Sequence, residues 1–161
     1  MNSELITSNY SEPKFVVDFM CGRLAKWLRI LGYDTEFVKD TSRHKIIMKS
    51  LTEQRIVLTR DTRLSKKKVY KLVLIKSDKI REQVKQVIKE LNLKLQKEKF
   101  FTICSICNKK VVPVEKEKVK DLVPLYVYQT IDEFYQCPIC QRVYWQGSHY
   151  DLFLKEVENL L

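Results

Sequence analysis

The first half of the chain contains four short apolar runs, and each run leads to an aspartate. The runs span residues 15–18, 35–40, 56–61 and 72–78. Continuous runs of this length that are rich in Val and Ile are typical of strands buried on both faces of a parallel sheet. The segments between them are long enough for crossover helices, so we expect the four strands to run in one direction. The pattern predicts an open α/β sheet with an acid at the carboxyl end of every strand.

The four strand-end acids are Asp18, Asp40, Asp61 and Asp78. Ligands of open α/β sheets bind beside the carboxyl ends of the strands. Carboxylates gathered there repel one another, which raises their pKa values unless a cation is present. Mg²⁺ and Mn²⁺ take oxygen ligands of this kind. We therefore expect metal-assisted phosphodiester chemistry, with all four acids as catalytic candidates and Asp18 and Asp61 as metal ligands. The alternative is that some of these acids cap the helices that follow them.

The net positive charge of the chain comes entirely from its first part. The net charge is +10. Residues 1–99 hold 23 Lys and Arg against 12 Asp and Glu, a net +11, whereas residues 100–161 hold 7 against 8, a net −1. A basic surface attracts nucleic acid because binding releases counterions. We expect the first part to contact a polyanion, the alternative being a lysine-rich surface that serves solubility or thermal stability.

A predicted helix after the first strand brings part of this charge close to the acids. Residues 19–31 carry an apolar stripe with helical spacing, and Gly32 follows as a helix-ending glycine. Arg23, Lys26 and Arg29 recur every three residues and form a basic ridge on the other side of this helix. We expect the ridge to guide a phosphate backbone toward the acids, although a merely solvated helix face is the alternative.

Two more arginines flank the third acid. Arg60 and Arg63 lie on either side of Asp61, and a lysine run follows at residues 66–68. We expect the two arginines to contact nucleic acid and to stabilise charge that develops on a phosphate, or else to hold the loop in place.

The chain divides into two predicted parts. Further helices are predicted over residues 41–52 and 79–93, and a polar, lysine-rich stretch follows at residues 94–99. This stretch predicts a boundary between an α/β domain at residues 14–99 and a second part at residues 100–161.

Four of the five cysteines form two closely spaced pairs in the second part. The pairs are Cys104-Ser-Ile-Cys107 and Cys137-Pro-Ile-Cys140, separated by 29 residues. Two such knuckles close a tetrahedral site for one structural zinc ion, and the residues between them can form a hairpin excursion. A part of about sixty residues with a thin core needs such a metal to fold. We therefore expect a zinc ribbon, and we interpret the unpaired Cys21 as a small apolar residue of the first helix.

Aromatic side chains follow the second pair of cysteines. Tyr144, Trp145 and Tyr150 are suited to stack on unpaired bases, but aromatics beside a zinc knuckle more often fill its small core. His149 is a candidate for nucleic-acid contact, with a structural role as the alternative. Residues 151–161 predict a terminal helix.

The rest of the composition narrows the class of protein. No stretch of eighteen uncharged apolar residues is present, so we expect no membrane span. The first residues lack a basic start followed by a long apolar core, so we expect a polar leader over residues 1–13 rather than a signal peptide. Paired cysteines with metal-ligand spacing suit a reducing compartment, which predicts a cytoplasmic protein.

Five short segments of the chain occur in a specific order. They are FVVD at 15–18, GRLAKWLRILGYD at 22–34, LTRD at 58–61, CSICN at 104–108 and YWQGSH at 144–149. This order resembles the Mut-seven C-terminal RNase family, in which a PIN-like nuclease domain is fused to a zinc ribbon. The resemblance covers the chain from residue 14 to about residue 155.

The resemblance implies a PIN-like three-layer α/β fold and a hydrolase that cleaves RNA with Mg²⁺ or Mn²⁺. Asp18 and Asp61 match the strand-end acids of the family, and Asp40 falls where a further acid is expected. A non-catalytic RNA-binding or ribonucleoprotein assembly factor is the alternative. A haloacid-type phosphatase is disfavoured, because no Asp-x-Asp follows the first strand.

Overall fold

The computed structural model describes residues 11–161, so most of the predicted leader lies outside the described part of the chain. A parallel sheet of four strands forms the centre of the first part. The strands are β1 (Lys14–Val17), β2 (Thr35–Phe37), β3 (Arg55–Thr59) and β4 (Lys71–Leu74). Their spatial order is β2-β1-β3-β4, and all three pairings are parallel. The predicted strands and their common direction are confirmed.

Helices cover both faces of this sheet. They are α1 (Gly22–Ile30), α2 (Arg43–Glu53) and α3 (Ile80–Glu90). Successive side chains of a strand point to opposite faces. Accordingly, Phe15 and Val17 pack in the core formed with α1 and α3, whereas Val16 packs against Ile46 of α2. The predicted three-layer α/β fold is therefore confirmed, and both faces of β1 are buried.

Gly32 ends the first helix, as predicted. Its φ of +94° lies in the left-handed region that favours glycine. A Cβ atom at this position would lie 2.6 Å from the backbone oxygen of Lys99, which is too close for any real contact. The position needs glycine both for its conformation and for the close approach of the segment that follows α3.

The cysteine-bearing part forms a small antiparallel sheet. Its strands are β5 (Val112–Val114), β6 (Phe134–Gln136) and β7 (Val143–Tyr144), and a helix, α4 (Leu125–Thr130), lies between β5 and β6. The residues between the cysteine pairs thus form an excursion between paired strands, as expected, and this excursion contains a helix. Its cause is an apolar series, Val119, Val123 and Val127, that forms a separate core with Phe134 and Trp145. Trp145 therefore serves a core, as the sequence favoured.

The terminal helix, α5 (Ser148–Leu160), belongs to the first core. Phe153, Val157 and Leu160 pack in the same cluster as β1 and α1, and the Phe153 ring lies 5.2 Å from the Trp27 ring. The two sheets lie on either side of residue 99, and α5 follows the ribbon in the sequence but packs in the core of the first part. The predicted division into two domains at this residue stays a prediction. Helical periodicity identifies an apolar face without saying which core will bury it. Among the helices of residues 11–161, none has the length and apolar character needed to span a membrane.

A hydrogen-bond network joins the ribbon to the edge strand β2. Asn108 donates from Nδ2 to Asp34 Oδ1 at 2.7 Å and accepts from the Thr35 amide at 2.9 Å. The buried Arg55 donates to the same carboxylate at 2.8 Å. Burial would raise the pKa of Asp34, but hydrogen bonds from Arg55 and Asn108 hold it below its usual value. The ribbon is thus held against the sheet by an ionised carboxylate.

Candidate functional site

Asp18 and Asp61 lie at the carboxyl ends of the two central strands and share one hydroxyl group. The buried Thr59 hydroxyl donates to Oδ2 of Asp18 and accepts from the Asp61 amide at 2.9 Å. The other oxygen of Asp18 accepts from the Met20 amide at 3.1 Å. β1 and β3 are also the strands between which the strand order reverses, where open α/β sheets place their ligands. The structure therefore brings together the two acids that the sequence analysis named as metal ligands.

The two acids have opposite pKa shifts. Burial raises the pKa of Asp18, because only 3% of the residue is exposed. Hydrogen bonds from Thr59 and Met20 offset part of this effect, and repulsion by Asp61 adds to it. For Asp61, the Arg43 guanidinium at 2.6 Å holds the pKa below its usual value. A cation between the acids would favour the ionised form of Asp18 as well.

Asp40 and Asp78 are placed differently from the central pair. Asp40 is exposed, forms an ion pair with Lys45 at 2.5 Å and accepts from the Ser42 amide at 2.9 Å. The Lys45 ammonium holds the pKa of Asp40 below its usual value. These contacts hold Asp40 against the turn before α2, whose N-cap is Ser42 rather than Asp40. Asp78 is exposed between β4 and α3.

The four acids do not form a ready-made metal cluster. Among the described residues, only the four cysteines bring three or more potential metal-ligand atoms close together, and the four acids do not. A site that uses Asp40 would require Lys45 to move away, since this lysine now occupies the carboxylate. The prediction that all four acids act together stays a prediction.

The predicted basic ridge on α1 is only partly correct. Arg23 and Lys26 are exposed, as expected. Arg29 is buried, and its guanidinium donates to the backbone oxygens of Thr35 at 2.8 Å, Ser105 at 2.9 Å and Ile106 at 3.1 Å. The prediction that Arg29 faces nucleic acid is wrong, because the ribbon covers this side of the helix. Arg29 joins α1, β2 and the first cysteine knuckle instead.

Other basic residues surround the central acids. Arg60 and Arg63 are exposed, and the Arg63 amide donates to Oδ1 of Asp61 at 2.9 Å. Arg43, at the start of α2, was not among the predicted site residues, although its guanidinium contacts Asp61 directly. His149 is exposed in the first turn of α5, and its contact with nucleic acid stays a prediction.

The four predicted cysteines can hold a zinc ion. The Sγ atoms of Cys104, Cys107, Cys137 and Cys140 all lie within 4.8 Å of one another. Four thiolates about 2.3 Å from one ion stand roughly 3.8 Å apart at the corners of a tetrahedron. The Cys104 and Cys140 sulfurs are 3.7 Å apart, which agrees with this spacing. Such a site has no open position for a substrate, so its role is structural.

A tyrosine supports the first of these thiolates. The Tyr144 hydroxyl donates to Sγ of Cys104 at 3.1 Å and accepts from the Ser105 amide at 3.2 Å. Burial alone would raise the pKa of Cys104, but the hydrogen bond from Tyr144 and backbone amides lower it to about 7. Outer-sphere contacts of this kind fix the orientation of metal ligands. Tyr144 therefore serves the zinc site rather than an exposed stacking surface.

Three functional contacts were not recognised in the sequence. Thr59 and Asn108 both lie within segments that resemble the family, beside Asp61 and Cys107 respectively. Their position next to predicted ligands was a signal, but spacing alone does not reveal a hydrogen bond across strands. The contact of Arg43 with Asp61 has no signal in the sequence, because it joins residues that are 18 positions apart.

Comparison with known proteins agrees with this architecture. Residues 13–157 match the family described as the Mut7-C RNAse domain. No curated protein and no solved structure matches the chain. The match includes the strand-end acids Asp18 and Asp61 and both cysteine pairs, so it extends over nearly the whole described structure. The chain therefore belongs to the Mut7-C RNAse domain family.

Proposed function

We propose that the protein is a metal-dependent ribonuclease that hydrolyses RNA phosphodiester bonds beside Asp18 and Asp61. The single observation that carries this proposal is the pair of acids held through Thr59 at the reversal point of the sheet. Family membership supports RNA as the substrate.

The donor atoms of the acid pair suit a hard divalent cation. Carboxylate oxygens are the ligands that Mg²⁺ and Mn²⁺ prefer, and both acids keep lone pairs beyond their present hydrogen bonds. Asp18 and Asp61 would hold the ion, with Asp40 and Asp78 as further candidates. When bound, such an ion lowers the pKa of a coordinated water and neutralises charge on the phosphate.

The surrounding residues have separate tasks in this proposal. Exposed Arg23, Lys26, Arg60 and Arg63 bind phosphates of the RNA strand and supply most of the affinity. Thr59 holds Asp18 in position without touching the substrate. The four cysteines hold one structural Zn²⁺, which keeps the ribbon folded and docked against β2.

RNA cleavage by wild type and Asp61→Asn tests the proposal. Asparagine keeps the shape of the side chain but removes one negative charge, so cleavage in Mn²⁺ should fall about 100-fold or more. RNA affinity should persist or rise, because one charge that repels the phosphates is gone. Asp132→Asn is a matched control, since Asp132 is an exposed acid paired with Lys116 on the ribbon. Equal cleavage by wild type and Asp61→Asn would contradict the assignment.

One observation favours a second candidate, a non-catalytic RNA-binding or assembly factor. Asp61 and Asp40 are both occupied by cations of the protein itself, Arg43 and Lys45. In such a factor these ion pairs persist, and the acids only stabilise the start of α2. The absence of cleavage by wild type across varied RNAs, in both Mg²⁺ and Mn²⁺, would favour this second candidate.

A further inference from the structure

A pocket lies between α1, the end of β2 and the first cysteine knuckle. We call it the interdomain pocket and define it by Arg23, Lys26, Phe37, Lys39 and Ile106. Its volume is about 450 Å³. Pockets for small ligands measure roughly 300–1,000 Å³, so the space is sufficient for one nucleotide. The two parts of the chain form the pocket together, since Ile106 comes from the ribbon and the other four residues come from the sheet domain.

Phe37 supplies the aromatic surface of this pocket. It is the last residue of β2, and its ring packs directly against the first residue of α1, Gly22. A Cβ atom at Gly22 would lie 3.1 Å from the Phe37 ring, so a larger residue would displace the ring. Ile106, a large apolar side chain that is 46% exposed, lines the same pocket. An unpaired base stacks readily on an aromatic ring with an apolar side chain beside it.

The charge of the pocket is entirely positive. Three exposed cations, Arg23, Lys26 and Lys39, line it together with the buried Arg29, and no acid is among its lining residues in the described part of the chain. The nearby Asp40 is already paired with Lys45. Proteins that bind single-stranded nucleic acid combine cations, which contact the phosphates, with aromatic side chains, on which the bases stack.

The pocket is also adjacent to the acid pair. Phe37 pairs in register with Val17, the residue immediately before Asp18. Neighbouring strands lie about 4.8 Å apart, so the pocket begins beside the acids rather than on a remote surface. A strand bound at the acids would therefore pass directly over it.

We propose that the interdomain pocket binds one unpaired nucleotide of the RNA strand next to the cleaved bond. The base lies between Phe37 and Ile106, and the flanking phosphates contact Arg23, Lys26 and Lys39. This inference rests on the proposed ribonuclease function and adds a substrate class to it. RNA must be single-stranded where it enters, because a base inside a duplex cannot reach the ring. The ribbon then takes part in RNA recognition through the apolar side chain of Ile106. This explains why the ribbon can bind RNA without a net positive charge.

The two knuckles provide a matched pair of variants. Ile106 and Ile139 occupy the same position in the two Cys-x-Ile-Cys sequences, and Ile139 is 63% exposed but does not line the pocket. Full-length zinc-loaded protein and a short labelled single-stranded RNA are titrated by fluorescence anisotropy, without Mg²⁺ or Mn²⁺. Ile106→Ser should weaken binding about threefold to tenfold, whereas Ile139→Ser should stay within about twofold of wild type. Equal affinities of the two variants would overturn the proposal.

A second measurement identifies the bound base itself. Single abasic nucleotides are placed one at a time along the RNA. In wild type, the loss of one particular base should weaken binding about fivefold or more, and Phe37→Leu should abolish that dependence. The melting temperature of Phe37→Leu verifies that the variant is folded. An abasic profile identical in wild type and Phe37→Leu would overturn the pocket, even for a protein that cleaves RNA. A wild type that shows the base dependence without cleaving any RNA would support the pocket and contradict the nuclease.

Discussion

The hydroxyl group of Thr59 hydrogen-bonds to the carboxylate of Asp18 across the two central strands of the sheet. The same oxygen accepts a hydrogen bond from the backbone amide of Asp61, so one buried atom fixes the positions of both acids. Side chains that orient ligands in this way commonly matter for activity without contacting the substrate. Thr59 is thus a positioning residue whose role can be separated from binding.

The substitution Thr59→Val should separate catalysis from RNA binding. Valine has the same shape but no hydroxyl, so Asp18 loses a donor and the Asp61 amide loses an acceptor. We expect cleavage to fall about 10- to 100-fold and the free energy of unfolding to fall by about 1–3 kcal/mol. RNA affinity should remain near that of wild type. The measurements are single-turnover cleavage, anisotropy and urea unfolding.

Thr52→Val is the control for this substitution. The Thr52 hydroxyl also makes a hydrogen bond, to the Met48 oxygen, but it is exposed on α2 and remote from the acids. Its loss should change neither cleavage nor stability noticeably. Full cleavage by Thr59→Val would show that Asp18 needs no support from β3.

Metal binding should become stronger with pH because of the raised pKa of Asp18. Asp18 must lose its proton before it can bind Mn²⁺, and burial raises its pKa above the ordinary 3.8. At about 100 times the dissociation constant, Mn²⁺ should stabilise wild type by about 2.7 kcal/mol, or roughly 5–10 °C in melting temperature. The shift should shrink as the pH falls through the raised pKa, and Asp18→Asn should show none.

The same pKa shift makes a prediction for the metal-free protein. A carboxyl group with a raised folded-state pKa contributes stability below its unfolded pKa, and that contribution is lost as the pH rises through the folded value. Asp18→Asn carries no such charge but offers one acceptor oxygen instead of two. Without Mn²⁺, its melting temperature should therefore rise relative to that of wild type as the pH rises through the raised pKa of Asp18. A pH-independent difference between the two proteins would contradict this electrostatic account.

Arg43 should compete with the metal ion for Asp61. Its guanidinium contacts the carboxylate at 2.6 Å and lies on the exposed start of α2. Arg43→Gln removes this cation, and we expect the apparent affinity for Mn²⁺ to rise about twofold to tenfold in the absence of RNA. Arg81→Gln, which breaks an exposed ion pair with Glu156, should leave the affinity unchanged. Weaker Mn²⁺ binding by Arg43→Gln would show that Arg43 supports the site instead.

The sheet was predictable because its two central strands, β1 and β3, are buried on both faces. Residues 15–17 and 56–58 are continuously apolar, and Gly32 indicates a helix end because glycine readily adopts the left-handed conformation found there. Terminal helix α5 was harder to place. The spacing of its apolar residues Phe153 and Val157 indicates a helix. Their burial against α1 depends on a tertiary contact that no local sequence pattern predicts.

The site was predictable to a similar extent. The strand-end position of Asp18 and the convergence of the four cysteines were predicted, because strand ends and knuckle spacing are local features of the sequence. The exposure of Arg29 was predicted wrongly. Its spacing along the helix indicates a solvent-facing side chain, but the ribbon covers it. Ile106 lines a pocket for the same reason, because the ribbon packs against α1. The position of Ile106 between two cysteines does not indicate this.

Zinc should be required for the ribbon but not for the parallel sheet. The core around Val119 and Phe134 is small, and the four cysteine sulfurs of the ribbon lie within 4.8 Å of one another. We expect about one equivalent of Zn²⁺ by mass spectrometry, and less than half of that in Cys137→Ser. The free Cys21 provides the control, because Cys21→Ser should retain the metal. A metal-free protein with protected amides in β5 and β6 would rule out the zinc site.

Removal of the buried guanidinium of Arg29 should release the ribbon from the sheet while zinc stays bound. Arg29→Met keeps the apolar stem, but the backbone oxygens of Thr35, Ser105 and Ile106 lose their donor. We expect the free energy of unfolding to fall by about 3 kcal/mol, because buried acceptors are left without partners. Hydrogen exchange should accelerate in residues 100–111 and in β2, with the zinc content unchanged.

The exposed Arg23 on the same helix provides the control for the role of Arg29 in holding the ribbon against the sheet. Arg23→Met removes an identical charged group two turns earlier, where it has no buried partner, so stability and exchange should match wild type. Cleavage by Arg29→Met should also fall, because the interdomain pocket loses its fixed wall at Ile106. Wild-type exchange in residues 100–111 of Arg29→Met would mean that the Asn108–Asp34 contact alone holds the ribbon in place.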